Sequence, residues 1–129
     1  MKKLGIIGAM QEEIDTLIQL LENMQEQDIS HLKFYIGTYN NIQIILVRCG
    51  VGKVNAAMCT QILIDSYNPD FVINIGVAGA VSDKVNIGDI VLSTYLVEHD
   101  FDCTAFGYEK SVIPRLETSK FFADNTLLS

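Results

Sequence analysis

The chain has 129 residues, enough for one domain, which excludes a multidomain enzyme within this sequence. Its 16 acidic and 9 basic residues give a net charge of −7 without any basic cluster, so nucleic acid is not expected as a partner. With 49% hydrophobic and 19% charged residues, the chain is too apolar for a disordered segment, and a packed core is expected.

Neither a membrane span nor a secretory signal is predicted. The longest apolar stretch, FVINIGVAGAV, is shorter than the roughly 18 residues of a membrane helix. The N-terminal MKKLGIIGAM lacks the long apolar region of a secretory signal. The three cysteines form no C-x-x-C pair, which is typical of free thiols in a reducing compartment. A cytoplasmic protein is therefore expected.

The first half of the chain predicts a strand, a helix and a hairpin. Residues 3–8 form an apolar run that predicts a buried strand, and apolar residues at spacings of three and four predict a helix that continues to Met24. After a polar stretch, LKFYIGTY and IQIILVRC predict two strands. Asn40-Asn41 joins them, a pair that tolerates the positive φ of a tight hairpin.

The second half continues the alternation of helices and strands. VNAAMCTQILIDSY predicts a helix buried between layers and ended by Asn68-Pro69, FVINIG predicts a central parallel strand, and GDIVLSTYLVEHD predicts one more strand. This order indicates an α/β layered fold whose hairpin makes the sheet mixed. Asp124 is a good N-cap, yet its helix would stop after barely one turn at Ser129, as if the sequence had been cut.

Three glycine corners follow the apolar strands: Gly8-Ala9-Met10, Gly50-Val51-Gly52 and Gly76-Val77-Ala78-Gly79. Ligands of open α/β sheets bind at the carboxyl ends of strands, where glycine lets a backbone approach them closely, although strand-to-helix corners also contain glycine for steric reasons alone. A P-loop is excluded by Val47 and Val54, and a dinucleotide fingerprint by Asn55.

Acidic residues suggest two further sites. Glu12 and Glu13 lie in the first turn of the first helix, where a carboxylate either only offsets the macrodipole or stays ionised and takes a proton from water. Glu98-His99-Asp100 and Asp102 form a polar patch, for which a hydrogen-bonded or subunit-contact segment is favoured over a metal site. Aromatic residues after this patch either cover an apolar ligand or partner, or form a small local core.

Five ordered motifs resemble one family. GIIGAMQEEI, GVGKVNAA, NIGVAGA, VNIGDIV and HDFDCTAFGYE are similar in order and spacing to the methylthioadenosine/S-adenosylhomocysteine nucleosidases of the purine nucleoside phosphorylase-like superfamily, over about residues 3–114. The resemblance implies a homodimeric three-layer αβα enzyme with a central mixed sheet and no cofactor. Such an enzyme hydrolyses the N-glycosidic bond of its nucleoside and releases adenine and a thioribose.

The resemblance also implies roles for individual residues. Glu13 matches the carboxylate that activates the attacking water. The substrate-binding positions would be lined by Met10, Val51, Val77, Gly79 and Cys103, with Phe106 and Pro114 reaching the neighbouring subunit's alkylthio pocket. Val77 stands where many members have serine, and Cys103 stands where a small apolar residue is common.

The family's chain is nearly twice as long as this one. Its second half supplies the acid that protonates the purine and the glutamate that binds the ribose diol. The sequence is therefore expected to be the N-terminal part of one nucleosidase domain and to be inactive alone. Two alternatives stay open, a nucleoside phosphorylase and a non-catalytic fragment that binds nucleoside or dimerises.

Overall fold

A computed structural model describes residues 2–129, which form seven strands and three α-helices. In chain order these are β1 (Lys3–Gly8), α1 (Gln11–Leu20), β2 (Glu22–Ile29), β3 (Leu32–Tyr39), β4 (Ile42–Arg48), α2 (Lys53–Tyr67), β5 (Phe71–Ile75), β6 (Tyr95–Leu96), β7 (Phe121–Phe122) and α3 (Asn125–Leu128). The chain divides into a first compact unit that ends at Gly79 and a second unit, Ala80–Ser129.

The first unit contains a mixed five-stranded sheet in the order β2-β3-β4-β1-β5, formed by the described residues. β1 pairs in parallel with β4 and β5, whereas β3 pairs antiparallel with β2 and β4. The predicted mixed sheet is thus confirmed. Gly8 at the end of β1 lies opposite both Arg48 and Ile75, so the three parallel strands end at one edge.

Helices cover both faces of this sheet. Alternate residues of β4 point in opposite directions, because the side-chain period of a strand is two. Ile44 and Leu46 pack in one core cluster with Ile14 of α1, and the intervening Ile45 and Val47 pack in a second cluster with α2. The predicted three-layer αβα architecture is confirmed by this division.

Two features predicted from short stretches of sequence are confirmed, the turn between β3 and β4 and the end of α2. Asn40 and Asn41 adopt φ values of 47° and 63°, which the tight turn between β3 and β4 requires. α2 ends at Asn68 in the left-handed conformation, and the N–H of Asn68 donates to the carbonyl of Ile64. Pro69 follows directly, as expected beyond a helix end.

The prediction that the first helix continues to Met24 is wrong. α1 ends at Leu20, and the polar stretch that follows is strand β2. This strand lies at the edge of the sheet with nearly all of its side chains exposed, so it has no apolar alternation. Its register also shifts between Glu22 and Gln25, where Asn23 has a φ of 52°. A polar, bulged edge strand leaves little pattern to recognise.

The strand predicted over residues 88–100 is also wrong for most of its length. Within the second unit, the described residues pair only as β6 with β7, two residues each. Ile90, Val91 and Leu92 remain exposed and lie outside any strand. A strand forms only where a neighbour accepts and donates its backbone hydrogen bonds, which an apolar pattern does not reveal. The N-cap predicted at Asp124 is correct, since its carboxylate accepts from the N–H of Thr126 at 2.7 Å.

None of the helices formed by residues 2–129 combines the length and the apolar character that crossing a membrane demands.

Candidate active site at the carboxyl ends of the parallel strands

The three glycine corners lie together at one edge of the sheet. They follow β1, β4 and β5, whose carboxyl ends are in register there. The N–H of Cys49 donates to the carbonyl of Gly8 at 2.9 Å and extends the pairing of β1 with β4 up to the corners. This edge is where ligands of open α/β sheets bind.

The carboxylate of Glu13 connects the first corner to the third. Its Oε2 accepts hydrogen bonds from the N–H groups of Ala9 at 2.7 Å and Met10 at 3.0 Å. Its Oε1 accepts from the N–H of Val77 at 3.1 Å. One side chain in the first turn of α1 thereby holds the end of β5 against the end of β1.

These hydrogen bonds keep Glu13 ionised. The N–H of Met10 is the largest influence and lowers the pKa of the Glu13 carboxyl below its ordinary value, and the N–H groups of Val77 and Ala9 act in the same direction. Desolvation opposes them without reversing the shift. A carboxylate has about four lone-pair positions, so three N–H donors leave room for about one more, such as a water molecule.

Glu12 has a different environment from that of Glu13. The two residues are about 100° apart around α1. Glu12 is exposed to solvent, whereas Glu13 is half-buried at the corners. The two carboxylates therefore differ: Glu12 is placed to complement the macrodipole, whereas the carboxylate of Glu13 lies at the sheet edge.

Of the other first-unit candidates, Met10 and Val77 contact this carboxylate, whereas Val51 and Gly79 lie in the second and third corners. Met10 and Val77 contribute backbone donors to Glu13, and the side chain of Val77 is 81% exposed. Val51 is exposed in the second corner, between two glycines with positive φ. Among residues 2–129, no heavy atom other than those of Gly79 and its two chain neighbours lies within 4 Å of where a Cβ of Gly79 would be. Met10, Val51 and Val77 thus present exposed apolar side chains at this edge.

Cys103, Phe106 and Pro114 lie in the second unit. Cys103 precedes a 3-10 turn, Thr104–Phe106, in which the side chain of Phe106 is 80% exposed. Cys103 and Pro114 are half-buried. These residues occupy a loop with little regular structure, and their assignment to a subunit contact stays a prediction.

The polar patch before this loop has a local structural role at Asp102. The Asp102 carboxylate accepts from the N–H of Thr104 at 3.0 Å and from its hydroxyl at 2.7 Å. These two bonds lower the pKa of Asp102, with a smaller contribution from Lys110. Among residues 2–129, no group of three or more His, Cys, Asp or Glu side chains is arranged to hold a metal ion.

Sequence reasoning missed two contributors to the edge. Ala9 donates the shortest of the three hydrogen bonds to Glu13, and its neutral side chain gave no signal. Asn55, in the first turn of α2, donates from Nδ2 to the carbonyl of Val51 at 2.7 Å and fixes the second corner. An asparagine three residues after Gly52 was a recognisable signal, because a polar side chain there can reach back to the preceding loop.

Comparison with known proteins identifies the family. The sequence profile described as "Phosphorylase superfamily" matches residues 3–129, almost the whole chain. The chain belongs to the phosphorylase superfamily.

Within this superfamily, the chain is similar to nucleosidases. The 5'-methylthioadenosine/S-adenosylhomocysteine nucleosidase of Desulfotalea psychrophila is 47% identical over 126 residues, which cover 98% of this chain and 53% of the relative. The nucleosidase of the same name from Bacillus subtilis is 45% identical over 127 residues, covering 98% of this chain and 54% of the relative. The chain therefore spans about half the length of the curated relatives it matches.

A solved nucleosidase structure has a closely similar fold. S-adenosylhomocysteine nucleosidase from Streptococcus pyogenes, solved in complex with 5-methylthiotubericidin, has a TM-score of 0.92 and 38% identity. The match covers 98% of this chain and 53% of that protein. The predicted nucleoside phosphorylase-like fold is thereby confirmed, and the family resemblance found in the five motifs is confirmed with it.

The hydrogen bonds of Glu13 predict how stability depends on pH. The folded pKa of Glu13 lies below the value of an unfolded glutamate, so its contribution to stability is present above pH 4.5 and is lost as the pH falls through the folded pKa. We expect Glu13→Gln to be less stable than the parent chain at pH 7 and the difference to shrink below pH 4.5. Urea unfolding from pH 7 to pH 3 measures this, with Glu12→Gln as the control. A stability difference independent of pH would contradict the assignment.

Proposed function

We propose that the chain is the N-terminal part of a single nucleosidase domain. The complete enzyme hydrolyses the N-glycosidic bond of methylthioadenosine and S-adenosylhomocysteine to adenine and a thioribose. The observation that carries this proposal is the ionised Glu13, held by three backbone N–H groups at the open sheet edge. Superfamily membership and the names of the two relatives described above support the choice of substrate.

The proposed reaction uses Glu13 to hold and activate water. Water attacks C1′ of the ribose, the bond from C1′ to N9 breaks, and its electron pair leaves with adenine. Glu13 accepts the proton that the attacking water loses. The transition state resembles an oxocarbenium ion, for which one group assists the leaving base while a carboxylate activates water on the opposite face. The acid that protonates the departing adenine is expected in the part of the relatives' chains that this sequence does not match.

The geometry favours water over phosphate as the nucleophile. A phosphate ion placed at Glu13 would be repelled by the ionised carboxylate. The N–H groups of Ala9, Met10 and Val77, which are the donors that an anion would need at this corner, are already used by Glu13. The nucleoside phosphorylase alternative is therefore the weaker one.

The remaining candidate residues bind the nucleoside in this proposal. Met10 and Val51 line the ribose and water side, Val77 lies near the water, and Gly79 lies against the sugar and base. Cys103 also belongs to the substrate pocket, and the enzyme is a homodimer in which Phe106 and Pro114 reach the neighbouring alkylthio pocket. Cytoplasmic location fits the free thiols of Cys49 and Cys59.

Adenine release by the complete enzyme tests the proposed function. The enzyme is incubated with methylthioadenosine or S-adenosylhomocysteine, with and without excess phosphate, and both products are identified. We expect adenine and the free thioribose in equal amounts under either condition. A sugar phosphate would indicate the phosphorylase, and the absence of adenine with both nucleosides would contradict the proposal.

Restoring a hydroxyl at position 77 is predicted to be harmless or mildly favourable. The N–H of Val77 already donates to Glu13, and a serine at this position would add one donor near the water without changing the backbone. A neutral hydrogen bond contributes at most about 1 kcal/mol, so Val77→Ser is expected to raise kcat by no more than about fivefold. Steady-state kinetics of the complete enzyme measure the change in kcat. A large loss of kcat in a folded variant would show that the assignment of residue 77 to the side of the water is wrong.

A further inference from the structure

Gly76 directly follows β5 and precedes Val77, whose N–H donates to the carboxylate of Glu13. A Cβ added to Gly76 would lie 2.9 Å from Oε1 of Glu13, 3.4 Å from Cδ and 3.6 Å from Oε2. Gly76 is absent from the described residues with positive φ, so its backbone does not itself require glycine. The requirement for glycine is therefore one of space beside the carboxylate.

We infer that Gly76 is a positioning residue for Glu13: the missing Cβ leaves the space in which the carboxylate reaches the N–H of Val77. This inference rests on the proposed function only for its effect on catalysis. The steric argument about the carboxylate depends on the distances alone.

An alanine at position 76 would be relieved by movement of Glu13 rather than of the backbone. The atom that the new methyl group would meet is the end of a flexible side chain, which can rotate away. Rotation separates Oε1 from the N–H of Val77, now at 3.1 Å, and disturbs the two hydrogen bonds made by Oε2. Displacing a reacting group by about 1 Å can cost about 10²-fold in rate.

Gly5 provides a matched control on the same sheet. A Cβ at Gly5 would lie 2.7 Å from Cδ2 of Leu63, a fully buried residue of α2 on the opposite face from α1. Gly5→Ala therefore introduces a comparable steric conflict in the core and not at Glu13. We expect it to lower stability and to leave the titration of Glu13 unchanged.

The first experiment follows the Glu13 carboxyl directly by NMR. The chain is labelled with ¹³C at the glutamate carboxyl, and the pKa of Glu13 is measured in the parent, Gly76→Ala and Gly5→Ala. Burial raises the pKa of the Cys49 thiol, and the charge of Glu13 raises it further, so this thiol stays neutral throughout the acidic range. The pKa of Glu13 should rise in Gly76→Ala only. An unchanged pKa in Gly76→Ala would overturn the inference.

A double-mutant cycle covers the case in which Gly76→Ala is poorly folded. If the new methyl group acts through the carboxylate, Gly76→Ala should destabilise the parent chain but have no further effect in a Glu13→Ala background. The unfolding midpoints in urea of the four variants give the coupling. Equal destabilisation in both backgrounds, or a double variant that does not fold although Glu13→Ala alone does, would show that the methyl group meets something other than Glu13.

Kinetics of the complete enzyme complete the test. Gly76→Ala is expected to lower kcat about 10²-fold with little change in KM, since the residue is assigned no substrate contact, and Gly5→Ala is expected to keep the parent kcat. Normal kcat in Gly76→Ala together with a raised Glu13 pKa would contradict the catalytic part of the inference. If the parent enzyme releases no adenine, the proposed function fails, while the NMR titration and the double-mutant cycle still decide the role of Gly76.

Discussion

Glu13→Gln in the complete enzyme is expected to lower kcat by about 10²- to 10⁴-fold, the usual contribution of a general base. Glutamine keeps the size and helix position of the side chain but cannot take a proton from water. It also fits the site poorly, because Oε1 and Oε2 both accept from backbone N–H groups. Either orientation of the amide would set its NH₂ group against one of these donors.

The control for this prediction is the neighbouring carboxylate. Glu12→Gln should cost little, because Glu12 is exposed and only complements the macrodipole. Steady-state kinetics of both variants give the comparison, and KM should be nearly unchanged in each because neither carboxylate is assigned to hold the purine. Equal losses would make the two residues a structural charge pair. A larger loss for Glu12→Gln would place the catalytic position one residue earlier.

The second large effect concerns the 129-residue chain by itself. We expect it to release adenine at least about 10²- to 10⁴-fold more slowly than the complete enzyme, because the resemblance places the acid that assists the leaving base outside this sequence. Adenine formation by equal concentrations of the purified chain and the complete enzyme measures the difference. Circular dichroism of the chain serves as the control for folding.

Two outcomes of that comparison distinguish the remaining alternatives. Turnover by the chain close to that of the complete enzyme would contradict its assignment as part of a longer catalytic domain. If the folded chain has no turnover and the complete enzyme also releases no adenine, the two results together would favour the non-catalytic alternative that binds nucleoside or dimerises.

Much of the first unit was predictable because its signals are local or periodic. The Asn40-Asn41 turn and the end of α2 at Asn68 each carry their structure in a few adjacent residues. The apolar run of β5 does form a parallel strand, but the strand lies at an edge of the described sheet and not at the predicted centre. β2 was not predictable in this way, because an exposed, bulged edge strand has no buried face to impose alternation. Residues 88–94 show the opposite error, an apolar segment that pairs with no strand of the described residues.

The candidate site likewise has features that were predictable from local sequence and features that were not. The glycine corners and the acidic first turn of α1 are visible in the sequence, and parallel strands predict that their carboxyl ends meet. Which of two adjacent carboxylates points to the edge is a matter of helix phase, and the contact between Glu13 and Val77 joins residues 64 positions apart. Neither local propensity nor hydrophobic pattern encodes such a contact. The requirement for space at Gly76 became visible only with the carboxylate in place.

The fate of the attacking oxygen tests the central claim most directly. The complete enzyme is given methylthioadenosine in H₂¹⁸O with excess unlabelled phosphate, and the products are analysed by mass spectrometry after a single turnover. Activation of water by Glu13 predicts one ¹⁸O atom at C1 of the thioribose, trapped by immediate borohydride reduction before its hemiacetal oxygen exchanges with the solvent, none in adenine, and loss of this product in Glu13→Gln. Thioribose 1-phosphate without ¹⁸O at C1, or undiminished labelled thioribose from Glu13→Gln, would contradict it.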